Sequence, residues 1–201
     1  MSVSLSTSIV SSGFADPTLG SQAAFRRIMD AFANPGTIAD LGGFVSAPAP
    51  LMPAAAALIA TLADADAPVF LDGAGLDDAT RWISFQTGAA VVAEPADAAF
   101  ALLSPGSASD GWNRFPLGTD AYPDRSTTLI LPVDGFEGGL GLMLTGPGIE
   151  TSLRVAPRGL PKDFLAARAA NAALFPRGHD LVLVCGERCL ALPRTTRIVE
   201  A

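Results

Sequence analysis

The sequence predicts an α/β fold in which a mixed β-sheet is flanked by helices, and three observations support this prediction. Helical segments alternate with short apolar runs through the first half of the chain, whereas hairpins dominate the second half. The length of 201 residues suits a single domain over residues 1–201. Hydrophobic residues make up 49% of the chain and charged residues 16%, so a large core is expected without help from a metal or a disulfide.

The first predicted helix lies between residues 16 and 36. Either Asp16 or Ser21 is suited to cap its start, and the Asn-Pro-Gly run at 34–36 is expected to end it. Its apolar residues recur at helical spacing and are expected to share the face that packs on the core. They are Phe25, Ile28, Met29 and Phe32.

The middle of the chain continues the alternation of helices and strands. A second helix is predicted from Pro53 to about Leu62, where many alanines allow close packing. A third helix is predicted to be capped by Asp77 and to carry Trp82 and Phe85. Short apolar runs predict one strand at 67–72 and two more around 89–103.

The segment 104–126 is rich in Gly, Pro, Ser and Asp and is the least regular part of the chain. Irregular loops of this length in compact domains are usually functional or disordered, although Trp112, Phe115 and Tyr122 indicate partial order here. Beyond it, apolar runs predict strands at 127–133, 139–149, 180–185 and 189–193. A last helix is predicted at 161–174, with Phe164, Ala167, Ala170 and Leu174 at helical spacing.

The charge and the terminal segments exclude several classes of protein. The net charge is −7 and the isoelectric point is near 4.5, the wrong sign for binding phosphate backbones, so no nucleic-acid partner is expected. No uncharged apolar run is long enough to span a membrane. Residues 1–14 carry no Lys or Arg and no apolar run of signal-peptide length. We therefore expect a cytoplasmic protein without membrane contact.

Two cysteines occur near the end of the chain. Cys185 and Cys189 enclose three residues between two apolar runs, which predicts a β-hairpin with a three-residue loop. A tetrahedral zinc site takes about four ligands, yet the sole histidine, His179, lies six residues upstream. We expect no metal, and we interpret both cysteines as buried hairpin thiols because cytosolic thiols stay reduced.

The segment 193–197, Pro-Arg-Thr-Thr-Arg, is the best candidate for binding an anion or a partner. The guanidinium groups of Arg194 and Arg197 and the hydroxyls of Thr195 and Thr196 are donors that bind phosphate oxygens well. The residues alone leave a second interpretation equally open, in which the segment is the solvent-exposed edge of a C-terminal strand.

Other charged residues offer weaker candidates. Arg26 and Arg27 lie off the apolar stripe of the first helix and face solvent or a partner. His179 is a candidate general base, although a histidine at a turn is more often a plain surface residue. The only lysine, Lys162, follows Pro161 at the first turn of a helix, a normally exposed position. A pyridoxal phosphate enzyme needs a Schiff-base lysine in its site, so this cofactor is not expected.

Four stretches of the chain carry a resemblance to a known family. They are residues 25–38 (FRRIMDAFANPGTI), 62–71 (LADADAPVFL), 118–149 (GTDAYPDRSTTLILPV…LMLTGPGI) and 175–198 (FPRGHDLVLVCGERCLALPRTTRI). The last is the most specific, and together they span nearly the whole chain, with the loop 104–117 matching least. They resemble the H subunit of the bacterial carbon–phosphorus lyase system, the PhnH family.

The resemblance implies a fold similar to that of pyridoxal-phosphate-dependent transferases but without the cofactor lysine, and no cofactor. It also implies a core complex with subunits G, I and J that handles organophosphonates during phosphate starvation. There the I subunit, assisted by G, H and the L protein, displaces adenine from ATP with the phosphonate at ribose C1. The product is a ribose 1-phosphonate 5-triphosphate, whose carbon–phosphorus bond the J subunit later cleaves. Two cysteines are too few for the iron–sulfur cluster of that J subunit.

Two functional hypotheses follow. In the first, the chain is a required but non-catalytic subunit that forms a homodimer when isolated. Its contact surfaces would be Arg26, Arg27, the loop around Trp112 and Tyr122, and the segment 193–197. In the second, the chain is a phospho-ligand-binding enzyme that acts on a phosphonate or a nucleotide by itself. The segment 193–197 would then hold phosphate oxygens, with Asp120 or His179 as the acid–base group. The absence of a catalytic triad, a metal set and a cofactor lysine from the sequence favours the first.

Overall fold

The computed structural model describes residues 13–201 and has a seven-stranded mixed β-sheet at its centre. In spatial order its strands are β2 (Ile38–Asp40), β11 (Arg188–Leu192), β10 (Asp180–Cys185), β7 (Thr128–Pro132), β6 (Phe100–Leu102), β4 (Val69–Leu71) and β5 (Val91–Val92). The strands from β10 to β5 run parallel, and β11 runs antiparallel to both β10 and β2. The predicted α/β fold with a mixed sheet is confirmed. The N-terminal segment 1–12, where no secretion signal is predicted, lies outside the described residues.

Three helices cover one face of the central sheet. They are α1 (Pro17–Ala33), α2 (Pro53–Leu62) and α3 (Asp77–Thr87), accompanied by a short ribbon of β1 (Gly13–Phe14) and β3 (Val45–Ser46). The helix α2 lies where it was predicted, and its buried run Ala54–Ala57 packs close to α1, α3 and the sheet. From the sheet, Ile130, Val182 and Val184 join this core.

A second, three-stranded sheet and one helix cover the opposite face. They are β12 (Arg197–Glu200), β8 (Leu142–Thr145), β9 (Leu153–Val155) and α4 (Phe164–Ala172). Because successive side chains of a strand point to opposite faces, Leu129 and Leu131 of β7 and Leu181 and Leu183 of β10 point away from the three helices. They form a second core with Phe164 and the inner side of the small sheet.

The start of α1 is capped by Asp16 and not by Ser21. The Asp16 Oδ1 accepts hydrogen bonds from the backbone N–H groups of Thr18 and Leu19, at 3.0 and 2.9 Å. These bonds satisfy two of the donors that the first turn of a helix leaves free.

The buried face of α1 differs from the predicted stripe. The buried side chains are Ala24, Ile28 and Ala31, whereas Phe25 and Met29 are each 48% exposed. The prediction that Phe25 and Met29 face the core is therefore wrong. Ile28 is buried as predicted, and Phe32 is partly buried against the core. The small residues Ala24 and Ala31 take the other buried positions in place of Phe25 and Met29.

The helix α3 begins at Asp77, but the predicted cap does not form. The N-cap position belongs to Leu76, and no side-chain hydrogen bond closes this end. Trp82 is fully buried as a core residue, whereas Phe85 is exposed.

The helix α4 is shorter than predicted and turns a different face to the core. Its buried residues are Phe164, Arg168 and Asn171, while Ala170 is exposed. The predicted stripe of purely apolar residues is wrong, because two polar side chains occupy this face and bond to backbone groups. Lys162 is exposed, in the turn that precedes the helix.

The strands β10 and β11 form the predicted hairpin, but the loop has two residues and not three. Cys185 pairs with Arg188 and Val184 pairs with Cys189, which leaves only two residues unpaired. The first of them, Gly186, has a φ of +58°, as the favoured two-residue hairpin turns require.

The irregular segment 104–126 connects β6 to β7 and is partly ordered, as predicted. It contains two short 3-10 turns, at Ser109–Arg114 and Pro123–Arg125. Trp112 and Phe115 are buried in the second core, whereas Tyr122 is exposed.

Candidate functional site

Most of the predicted site residues lie at one edge of the central sheet, which we call the amino edge because parallel strands begin there. Asp180 and Thr128, the first residues of β10 and β7, are paired at this edge. The antiparallel strand β11 ends there, so the following segment 193–197 returns to it. His179 precedes β10 directly. Three chain segments that are distant in sequence therefore meet.

Arg194 lies at the centre of the amino edge and is bound by the protein itself. Its Nε and Nη2 donate to Asp180 Oδ1 and Oδ2, at 3.2 and 2.6 Å. Nη1 donates to the carbonyl oxygens of Pro123 and Pro176, at 2.6 and 3.4 Å, and Nη2 also donates to Ser126 Oγ at 2.6 Å. A guanidinium has five N–H donors, and here each has an acceptor. Anion binding by Arg194 stays a prediction, and it would require breaking some of these bonds.

The remainder of the segment 193–197 borders an open groove of about 500 Å³. Arg197 is exposed, and its guanidinium has no hydrogen-bond or ion-pair partner among residues 13–201. Thr196 is buried, so it is separated from the groove surface. The groove is lined by Thr145, Gly146, Pro147, Ala172, Phe175, Arg194, Thr195 and Arg197.

His179 is buried, contrary to the surface position expected of a turn histidine. Its Nδ1 lies 3.1 Å from the carbonyl oxygen of Thr127, and its Nε2 lies 3.1 Å from that of Trp112. Its backbone N–H donates to Asn171 Oδ1 at 2.7 Å. Burial lowers the pKa of the imidazole, and the bonds to the two carbonyl oxygens oppose this shift. A neutral imidazole carries one N–H, so it donates to only one of these two oxygens, and both ring nitrogens face backbone carbonyl groups inside the protein.

Asp120 remains at the protein surface. Its carboxylate is 81% exposed, and its Oδ1 lies 3.1 Å from the Nε of Arg177. In the described part of the chain it makes no hydrogen bond to His179 or Arg194. An acid–base role for Asp120 or His179 stays a prediction.

Arg26 and Arg27 lie apart from the segment 193–197. Arg27 donates from Nη1 to the carbonyl oxygen of Asp40 at 2.6 Å, and its guanidinium lies 5.0 Å from the centroid of the Phe44 ring. Asp40 ends β2, at the edge of the sheet opposite to the amino edge. These two arginines therefore do not form one anion site with Arg194 and Arg197.

Two buried polar residues of α4 were not predicted. Arg168 donates from Nη2 to the carbonyl oxygen of Pro193 at 2.8 Å, and Asn171 donates from Nδ2 to that of His179 at 3.0 Å. Burial lowers the pKa of Arg168 to about 10, and the charge of Asp180 opposes this shift. Both residues support the backbone of the amino edge. Their signal in the sequence is weak, since two polar residues within a helix usually indicate its exposed face.

The two cysteines are free thiols in different environments. Cys189 is buried, and its burial raises the pKa of the thiol to about 12. Cys185 is only half-buried. Within residues 13–201, no three Cys, His, Asp or Glu side chains come together as a group that could hold a metal ion. None of the described helices is long and apolar enough to cross a membrane.

Comparison with known proteins identifies relatives over nearly the full length. Residues 12–199 match the family model described as "Bacterial phosphonate metabolism protein (PhnH)". A Rhizobium meliloti (strain 1021) protein named "Alpha-D-ribose 1-methylphosphonate 5-triphosphate synthase subunit PhnH" is 48% identical over 191 residues, which cover 94% of this chain and 96% of that protein. A Stutzerimonas stutzeri protein named "Putative C-P lyase subunit protein HtxG" is 32% identical over 179 residues, or 88% of this chain and 85% of that protein. The chain belongs to the PhnH family of bacterial phosphonate metabolism proteins, as the resemblance of its four stretches predicts.

Proposed function

We propose that this chain, as one domain over residues 1–201, is a subunit of the bacterial carbon–phosphorus lyase complex. In that role it supports the formation of ribose 1-phosphonate 5-triphosphate from ATP and a phosphonate. The observation that carries this proposal is the 48% identity, over 94% of the chain, to a protein named as a subunit of the corresponding methylphosphonate synthase.

The role is assisting and not directly catalytic. Two of the polar side chains at the amino edge are engaged in holding the fold: Arg194 binds Asp180 and backbone carbonyl groups, and both nitrogens of the His179 ring face carbonyl oxygens. A catalytic base needs a nitrogen or oxygen that can reach the substrate proton. Exposed residues such as Arg26 and Arg197 are better suited to contact a neighbouring subunit.

The partners that we infer from the family resemblance are subunits G, I and J. The resemblance also suggests the cytoplasm as the location and phosphate starvation as the condition of use. When isolated, the chain is proposed to form a homodimer. The exposed apolar side chains Leu19, Phe25 and Met29 on α1 supply a surface that a second copy could cover.

A relation to pyridoxal-phosphate-dependent transferases is also part of the proposal. What supports it is a central sheet of mainly parallel strands with β11 antiparallel near one end. Lys162 is exposed outside this sheet, which is unsuited to a Schiff base. Superposition on members of that fold should align the seven strands in the same order, and a different strand order would reject the relation.

Co-expression with tagged G, I and J subunits tests the main proposal. Wild type is compared with Arg197→Ala, because Arg194 is too deeply engaged in the fold for its removal to report on contacts alone. Arg81→Ala is the matched control, since Arg81 is an exposed arginine on α3. Loss of co-purification in Arg197→Ala alone makes the segment 193–197 a subunit interface. Failure of the wild type to co-purify with any of the three subunits rejects membership of the complex.

The groove beside Arg197 supports a second candidate, a phospho-ligand-binding enzyme. Arg197 and the hydroxyls of Thr145 and Thr195 are donors suited to phosphate oxygens. ATP or methylphosphonate should then raise the thermal midpoint of the wild type, because a ligand that binds only the native state stabilises it. The shift should vanish in Arg197→Ala and persist in Arg81→Ala. No shift with either ligand at millimolar concentration rejects this candidate.

A further inference from the structure

The parallel strands end on the side of the central sheet opposite to the amino edge. Their carboxyl ends form a second region that the sequence did not indicate. The strands β4 and β6 are neighbours, but the chain leaves β4 toward β5 on one side and leaves β6 toward β7 on the other. In open α/β sheets, ligands bind in the crevice outside the carboxyl ends of two strands whose connections diverge in this way.

A partly enclosed cavity of about 110 Å³ lies at this position. Asp72 follows β4 directly, and Ser104 lies just beyond β6, so both polar residues project from the diverging strands. A closed apolar cavity of about 150 Å³ in another protein binds benzene. The present cavity is smaller but open on one side, so it can take at most one six-membered ring, with part of that ring at the opening. Its apolar wall is formed mainly by Leu51, Met52, Ala55, Leu76, Leu103 and Pro105.

The carboxylate of Asp72 is fixed in place and retains free acceptor capacity. Its Oδ2 accepts from the backbone N–H of Ser104 at 3.3 Å, and its Oδ1 lies 3.2 Å from Nη2 of Arg114. The Ser104 Oγ donates to the Asp72 carbonyl oxygen at 2.6 Å. A carboxylate offers roughly four lone-pair sites, so about two remain for a ligand.

The charge balance of the cavity limits the chemistry of its occupant. The guanidinium of Arg114 compensates the charge of Asp72, and the aromatic rings of Phe70 and Phe115 hold that guanidinium at 5.3 and 4.9 Å from their centroids. The residues that line the cavity include no Lys, Arg or His. A phosphate or carboxylate would therefore lack a cation inside the cavity, whereas a neutral donor would meet an acceptor.

We propose that this cavity binds a flat, neutral aromatic or heteroaromatic ring that carries an N–H or O–H donor. The ring packs among Leu51, Met52 and Leu103, and the donor forms a hydrogen bond with Asp72. Aminopyrimidines, which have a single six-membered ring, are natural members of this class. The inference goes beyond the proposed function, because it uses neither the segment 193–197 nor the family relation.

Nuclear magnetic resonance titration of the isotope-labelled full chain tests the proposal with two probes of equal shape, aniline and toluene. We expect saturable shifts for both at Ala55, Leu103 and Ser104. Aniline should bind roughly three- to tenfold more tightly, which corresponds to one net hydrogen bond. Absence of saturable shifts at these residues up to millimolar probe overturns the cavity as a binding site, and equal affinities overturn the role of Asp72.

Three variants sharpen the test. Arg114 and the Ser104 N–H contact different oxygens of Asp72. Asp72→Asn leaves one carbonyl oxygen for these two donors and replaces the other oxygen by an N–H donor, so aniline should lose its preference over toluene. Ala55→Leu fills the cavity and should abolish binding of both probes. Asp78→Asn is the matched control, because Asp78 pairs with Arg81 on the solvent side of α3 and does not line the cavity. This variant should keep the wild-type affinities. If Ala55→Leu does not fold, the chemical-shift changes of the wild type still decide whether the probes bind in the cavity, because they should occur at Ala55, Leu103 and Ser104.

Discussion

Arg194 shows how one side chain can join segments that are distant in sequence. Its ion pair with Asp180 is mostly shielded from solvent, at 14% and 21% side-chain exposure. In Arg194→Ala the Asp180 carboxylate keeps only the backbone N–H of residue 194, at 2.7 Å, and the two carbonyl groups lose the guanidinium. We therefore expect the free energy of unfolding to fall by about 2–4 kcal/mol. Arg194→Lys should recover only part of this loss, because an ammonium cannot form the two-pronged pair. Urea unfolding measures both values.

The control for Arg194 is its neighbour Arg197, which is exposed and without a described partner. Arg197→Ala should change the free energy of unfolding by less than about 0.5 kcal/mol. Equal effects of the two substitutions would contradict the structural role assigned to Arg194.

His179 should make stability depend on pH in the mildly acidic range. Burial lowers the pKa of the imidazole in the native chain below its ordinary value of 6.5. Below about pH 6.5 the unfolded chain therefore binds more protons than the native chain, and the free energy of unfolding falls as the pH decreases. The slope from this group is at most about 1.4 kcal/mol per pH unit and ends once the native imidazole also titrates.

Urea unfolding of wild type and His179→Gln at pH 7.5, 6.5 and 5.5 checks this prediction. The additional loss of stability on acidification should occur in the wild type and be absent from the variant. Since His179 is the only histidine, its nuclear magnetic resonance signal reports the native pKa directly. A native pKa above 6.5 would reverse the sign and contradict the prediction.

The two thiols should differ in reactivity. A thiol reagent attacks the thiolate, and burial both shields Cys189 and raises its pKa to about 12, whereas Cys185 is partly exposed. With a reagent that releases a coloured product on reacting with a thiol, we expect one reacting thiol per chain in the native protein. In urea-unfolded protein we expect two. Rapid reaction of both thiols in the native chain would show that the hairpin opens.

At the scale of elements, the hairpin of β10 and β11 depends on the backbone of Gly186. A Cβ at this position meets no atom within 4 Å, so a substitution tests the φ of +58° alone. Gly186→Ala should lower the free energy of unfolding by about 1–2 kcal/mol. Gly111→Ala is the control, because its Cβ also enters open space and its φ is not positive. Similar losses for both variants would exclude the backbone explanation.

Element positions could be predicted from the sequence more reliably than their orientations. Short apolar runs located β4, β6 and β7, and Pro53 located the start of α2. Hydrophobic spacing placed Ile28 and Phe164 correctly on the buried faces of α1 and α4, but it was wrong for Phe25, Met29 and Ala170. In α1 two alanines take buried positions, and in α4 Arg168 turns inward to bond backbone carbonyl groups that only the folded chain brings near.

The candidate site was predictable only in part, for a related reason. The donor-rich composition of 193–197 indicated this segment as a candidate site. It could not show that the guanidinium of Arg194 is bound to the carboxylate of Asp180. The cavity beside Asp72 gave no signal, because its position follows from strand order. That order sets residues after β4 next to residues after β6, about thirty positions later in the chain.

At the scale of the whole molecule, the two edges of the central sheet differ in character. The amino edge is held by a buried polar network around Arg194, Arg168 and His179. The opposite edge has a cavity with unused acceptor capacity at Asp72. The strands β7 and β10 connect the two edges, since Thr128 and Asp180 begin them at the amino edge and their residues Pro132 and Val184 line the cavity.

The outer face of α1 is the predicted contact between the two copies of a homodimer. Phe25 and Met29 lie one helical turn apart and are each 48% exposed. In a two-fold symmetric dimer each copy would cover this patch of the other, and a buried unpaired carboxylate would cost several kcal/mol. Light scattering should therefore give the wild type twice the chain mass of 20.5 kDa, and Phe25→Glu/Met29→Glu a single chain mass.

The control for this pair is Leu140→Glu, which places one glutamate on an exposed apolar residue outside α1. It should leave the mass of the wild type unchanged, since no dimer contact is proposed for that residue. A double variant that keeps the doubled mass would move the dimer contact to another surface. It would also leave the apolar face of α1 available to a different subunit of the complex, which the same double variant tests by co-purification.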